Sequence, residues 1–89
     1  MNNITSAIKA LRGQTAVITG AGSGIGLAFA RIAASHGMQL VLVDVQQASL
    51  DACAAEMQAL GCAVLARRVD VSSADEMDAL ASAVAERFG

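Results

Sequence analysis

The stretch "TAVITGAGSGIG", Thr15–Gly26, places four glycines in the seven positions Gly20–Gly26, directly behind an apolar run. Ordering glycine costs more backbone entropy than ordering any other residue. A tight turn from strand to helix is served by one or two. Four suit a loop whose backbone approaches an anionic group, with the partial positive charge of a following helix N-terminus behind it. Two carboxylates stand downstream at strand-like positions, Asp44 behind "QLVLV" and Asp70 behind "VLARRV". An acid at such a place can cap a strand end or turn the chain.

Other chemistry is thinly represented. Cys53 and Cys62 lie nine residues apart, with no further Cys or His spaced to complete a metal site, so both read as reduced thiols in a reducing compartment. His36, the only histidine, suits the C-terminal end of a helix, where its charge would complement the dipole. A mononucleotide P-loop needs Lys followed by Ser or Thr after its last glycine. Here Ile25, Gly26 and Leu27 follow, and the one lysine is Lys9. The strict GxGxxG spacing also fails, reaching Ile25 when counted from Gly20 and Leu27 when counted from Gly22. The spacing that fits is TGxxxGIG, Thr19–Gly26.

The elements that must position these residues follow from hydrophobic periodicity. "TAVIT", Thr15–Thr19, reads as a buried strand. A helix is expected over 24–36, with Ile25, Ala28, Phe29, Ile32 and Ala33 on its apolar face and Gly37 as its stop. "QLVLVDV", Gln39–Val45, is nearly continuously apolar, as in a parallel strand covered on both faces. A second helix spans 47–60, with Leu50, Cys53, Ala54, Met57 and Leu60 inward. A third strand spans 63–71. The last helix opens on a capping box, Ser72 with Asp75 or Ser73 with Glu76, and carries Met77, Leu80, Ala81, Val84 and Phe88 as its stripe. Residues 1–11 hold a weakly amphipathic pattern, Ile4, Ala7, Ile8 and Leu11, consistent with a loose lead.

Alternating strands and helices imply an α/β fold: a parallel three-stranded sheet in the order 3-2-1, helices on both faces, half of a doubly wound domain. The chain of 89 residues is 55% hydrophobic with no Trp, Tyr or Pro, which excludes a disordered tail. Its net charge of −2 and lack of a basic stripe argue against nucleic acid. No run approaches a membrane span, and the first residues have no secretory signal pattern.

The glycine spacing, Asp44 eighteen residues past Gly26, and Asp70-Val71 ending the third strand together resemble the short-chain dehydrogenase/reductase superfamily. So do the lead-in "LRGQTAVITG" and "AVAERFG". The resemblance implies a Rossmann-type NAD site. Its contacts would come from Gly20, Gly22, Ser23, Gly24, Ile25 and Gly26 in the loop, Asp44 and Val45 behind the second strand, and Asp70 and Val71 behind the third. Asp44 would read the adenosine ribose and mark NAD over NADP, and Asp70 with the Val71 amide would meet the adenine. The family's catalytic Tyr, Lys, Ser and Asn have no counterparts here. There is no tyrosine, and the only asparagines are Asn2 and Asn3.

The expectation is therefore the cofactor-binding portion of a cytoplasmic oxidoreductase acting on an alcohol or carbonyl, truncated or a piece of a longer chain. The competing reading is a stand-alone nucleotide-binding or assembly module. Right-handed crossovers send the third helix over the opposite face toward the far side of the first strand. One edge of that strand stays open, with Val17 and Ile18 on it, and a homo-oligomer joined there is expected.

Overall fold

The computed structural model describes residues 13–89; the amphipathic lead expected over 1–11 lies outside them. Three strands and three helices alternate: β1 Thr15–Thr19, α1 Gly24–Ser35, β2 Gln39–Asp44, α2 Gln47–Ala59, β3 Val64–Arg68 and α3 Ala74–Phe88. The sheet is parallel, in the order β1-β2-β3. Thr19 stands beside Val43, and Asp44 beside Arg68, so the C-terminal ends of all three strands share one edge.

Strand alternation divides the core in two. Leu40, Leu42 and Val64 point to the face covered by α1 and α2, where Ala30, Ala33, Leu50, Cys53 and Met57 close over them. Val41, Val43 and Leu65 point the other way, onto Leu80 of α3. Leu40, Val41, Leu42 and Val43 are all fully buried, as the unbroken apolar run required of a strand covered twice. Cutting Leu40 or Leu42 to alanine would cost about 2–5 kcal/mol.

Four expectations are corrected. α1 meets the sheet through Ala30, Ala33 and Ala34, while Ile25 and Phe29 are 76% and 59% exposed. Alanines let the helix lie close to the strands, which rotates the larger residues to its flank beside β1. Leu60 caps α2 and is exposed, one turn beyond the last residue that faces the sheet. β3 stops at Arg68: after Val69 N–H reaches the Asp44 carbonyl (3.2 Å), the Asp70 carboxylate turns the chain onto Ser72. Finally, α3 crosses the expected face but packs beneath β2 and β3, with Leu80 its one buried residue and Met77 and Ala81 exposed. Val17 shares that face on β1 and is 54% exposed.

Among the described residues β1 pairs only with β2, and none of them covers its outer edge. Beside it, Val17, Ile18, Ile25, Phe29 and Ile32 line an apolar groove of about 690 Å³. β3 also has a free edge, but that strand ends in Arg67 and Arg68, charges of the kind that discourage pairing.

Candidate functional site

The glycine loop leaves β1 at the shared C-terminal edge, and each glycine in it meets a constraint inside the protein. Gly20 (φ +64°) and Gly24 (φ +58°) adopt left-handed backbone that a Cβ disfavours. At Gly26 a Cβ would sit 2.0 Å from the Gly20 carbonyl oxygen. At Gly22 it would sit 2.6 Å from Ser49 Cβ and 3.0 Å from Asp44 Oδ2. The loop is thus folded on itself at one end and pressed against the β2–α2 turn in its middle. Ala21 N–H donates to the Val43 carbonyl (3.1 Å) and anchors its start to β2.

α1 begins with its terminal amides uncovered. Its first backbone bond runs from Leu27 N–H to the Ser23 carbonyl at 3.4 Å, so the amides of Gly24, Ile25 and Gly26 precede the helical ladder. Ser23 is extended at the N-cap, makes no side-chain cap bond, and no acid stands in the first turn. Such an end is a ready anion site, short of negative charge and of side-chain caps. The Gly22 amide is directed elsewhere: it donates to Asp44 Oδ2 at 2.9 Å.

Asp44 closes β2 at the same edge. Its Oδ1 accepts the Gln46 N–H at 3.0 Å. The Gln46 and Gly22 amides hold its carboxyl below the usual carboxylate range, against a small opposing effect of burial. It is therefore ionised at neutral pH and acceptor-only, with lone pairs beyond the two in use. Val45 follows it and is exposed. Arg68 ends β3 next door, its Nε donating to the Val45 carbonyl at 3.1 Å.

Asp70 and Val71 lie just past β3, both exposed. Asp70 Oδ1 accepts the Ser72 hydroxyl (2.6 Å) and the Ser72 amide (2.9 Å), and these bonds hold its carboxyl low. The turn-forming role is therefore present, and the second carboxylate oxygen is not used by it. Ser73 is the residue that caps α3, accepting the Glu76 N–H at 3.2 Å. Glu76 reaches back to the Asp70 amide (3.2 Å) rather than completing the box on Ser73.

The ten residues expected from the sequence all follow or end the three strands at this edge: Gly20–Ser23 and the head of α1 after β1, Asp44 and Val45 at the end of β2, and Asp70 and Val71 after β3. Two members had no sequence signal: Ser49, whose only clue is its small size, and Gln46, which acts through its backbone. His36 lies at the opposite end, its N–H donating to the Ala33 carbonyl as α1 closes. Cys53 is buried, which pushes its thiol up, and Cys62 is half-buried; both are free. No group of three metal-ligating side chains occurs among the described residues, and no helix among them is long and apolar enough to cross a membrane.

Residues 14–89 match the family model described as short chain dehydrogenase. Galactitol 2-dehydrogenase (L-tagatose-forming) of Cereibacter sphaeroides is 49% identical over 73 residues, covering 81% of this chain and 28% of that protein. A short-chain dehydrogenase/reductase from Burkholderia phymatum, solved in complex with NAD, superposes with a TM-score of 0.86 at 48% identity, covering 89% of this chain and 28% of that one. L-sorbose reductase from Gluconobacter frateurii, solved with NADPH and L-sorbose, superposes with a TM-score of 0.82 at 40% identity, covering 88% and 30%. The chain therefore spans less than a third of the length of these proteins.

Proposed function

This chain belongs to the short-chain dehydrogenase family, and on that premise we propose that it holds the adenosine and pyrophosphate half of a nicotinamide dinucleotide. The preferred form is NAD, and the setting is an oxidoreductase acting on an alcohol or carbonyl. The observation that supports the reading is the common edge itself. It carries uncapped amides at the head of α1, an ionised Asp44 and an exposed Asp70–Val71 pair on three neighbouring loops.

The residues fit the group. The Gly24, Ile25 and Gly26 amides and the Ser23 hydroxyl would take the pyrophosphate. Asp44 would accept the ribose hydroxyls, and its charge disfavours a 2′-phosphate. Exposed Val45 would offer apolar surface to the adenine, with Asp70 and the Val71 amide toward its polar edge. A nicotinamide dinucleotide held there would supply the hydride donor or acceptor. The chain has no tyrosine, and its one lysine, Lys9, precedes β1, so these residues do not supply the family's tyrosine–lysine pair for the proton on the substrate oxygen.

The reading extends to assembly and location. The open edge of β1 bears no charge, unlike that of β3, which favours a second copy of the chain at β1. Two free thiols favour the cytoplasm. Calorimetry with NAD, NADP and ADP-ribose tests the cofactor reading. NAD and ADP-ribose are expected to bind and NADP to bind more weakly. Saturable binding of none of the three would overturn it.

A further inference from the structure

Between the Ala21 anchor on β2 and the start of the α1 ladder, the glycine loop is tied down at one place. There the Gly22 amide meets Asp44 Oδ2 at 2.9 Å, and the Gly22 Cα lies against Ser49 so closely that a Cβ would approach Ser49 Cβ to 2.6 Å. The Ser23 side chain makes no cap bond. The carboxylate is itself held from the far side, Oδ1 taking the Gln46 amide at 3.0 Å. A rigid bracket thus runs from the β2–α2 turn through one side chain to the middle of the loop.

We infer that Asp44 is a positioning residue for the glycine loop: by fixing the Gly22 amide it sets the aim of the Gly24–Gly26 amides, and so governs pyrophosphate affinity independently of any ribose contact. This rests on the dinucleotide reading above and goes beyond it. The two roles use different lone pairs of one carboxylate, so a single residue serves both sugar and phosphate. Hydrogen bonds to an ionised group are the stronger kind, and this one replaces a bond the loop amide would otherwise make to water.

The test separates the roles by ligand chemistry. Wild type, Asp44→Ala and Asp44→Asn, each as the full chain, are titrated with ADP and with 2′,3′-dideoxy-ADP, which lacks both ribose hydroxyls. Amide exchange at Gly22 is followed without ligand. Asp44→Ala is expected to weaken dideoxy-ADP about tenfold, as loss of a charge-assisted bond implies. It should also speed Gly22 exchange by at least as much, while Val41 in the central strand stays protected. Asp44→Asn, which keeps one acceptor oxygen, should fall between. Unchanged dideoxy-ADP affinity in Asp44→Ala, with ADP alone weakened, would confine Asp44 to the ribose and overturn the inference. Rapid Gly22 exchange in wild type would overturn it even if a variant failed to fold. If wild type bound neither nucleotide, the dinucleotide reading would fall; Gly22 exchange that is slow in wild type and fast in Asp44→Ala would still support the bracket, and equal exchange in the two would overturn it.

Discussion

Asp44 and Arg68 end adjacent strands in register, yet they form no ion pair: the guanidinium Nε turns to the Val45 carbonyl at 3.1 Å, and the carboxylate takes two backbone amides. The negative charge thus stands without a counter-ion where a ribose is proposed to lie. A 2′-phosphate placed about 4 Å away would meet roughly 4 kcal/mol of repulsion per pair of unit charges at an effective dielectric near 20. Wild type is expected to favour NAD over NADP by at least tenfold. Asp44→Ser should narrow the ratio, since it removes the charge and leaves Arg68 as the nearby cation. Equal affinity for the two cofactors in wild type, by calorimetry, would rule out this use of Asp44.

Acid should loosen the fold in a defined window. Asp44 is held low by the Gln46 and Gly22 amides, Asp70 by Ser72, and Glu56 by Arg31, which it meets at 2.7 Å. A carboxyl whose folded value is depressed adds stability above its unfolded value, about 4, and loses that contribution as pH falls through the folded value. Thermal midpoints followed by circular dichroism should therefore hold level above about pH 5 and decline below about pH 4. The decline should be shallower in Asp44→Asn. Identical slopes for variant and wild type would exclude Asp44 as a contributor.

The choice of cap on α3 can be read by two single substitutions. Ser73 accepts the Glu76 amide, whereas Ser72 only supports the Asp70 turn. Ser73→Ala should cost about 1 kcal/mol, a fall of about 5 °C in thermal midpoint for a domain this small. Ser72→Ala should cost less. The reverse order would move the helix start back by one residue.

Assembly through β1 predicts a mass that depends on concentration. Val17 sits on the open edge and is half-exposed, and Ile25, Phe29 and Ile32 stand beside it. Light scattering across a dilution series should show dimers dissociating, and Val17→Lys should give monomer throughout. A folded wild-type monomer at every concentration, with protected amides along both edges of β1, would remove the proposal.

The order of elements and the three loops of the site were legible because they depend on local pattern: an apolar run, a glycine cluster, an acid at a strand end. What escaped depended on packing. Periodicity placed Ile25, Phe29, Ile32 and Ala33 on one apolar arc of α1, but of these only Ala33 meets the sheet, with Ala30 and Ala34 beside it. Residues 69–71 continue a strand-like alternation, and only the Asp70–Ser72 bonds reveal the bend. The Gly22–Asp44 bond joins residues 22 apart in sequence, and no local rule reports it.

The 2.0 Å between the Gly20 carbonyl and a would-be Cβ on Gly26 also bears on heredity. Every missense change of a glycine codon adds a side chain, so this codon has no tolerated missense neighbour, while exposed Arg87 has several. A gene copy released from selection would collect changes at both codons alike. A copy still in use would keep the first silent and let the second drift, so sequencing closely related strains would tell a working gene from a relic without any assay of the protein.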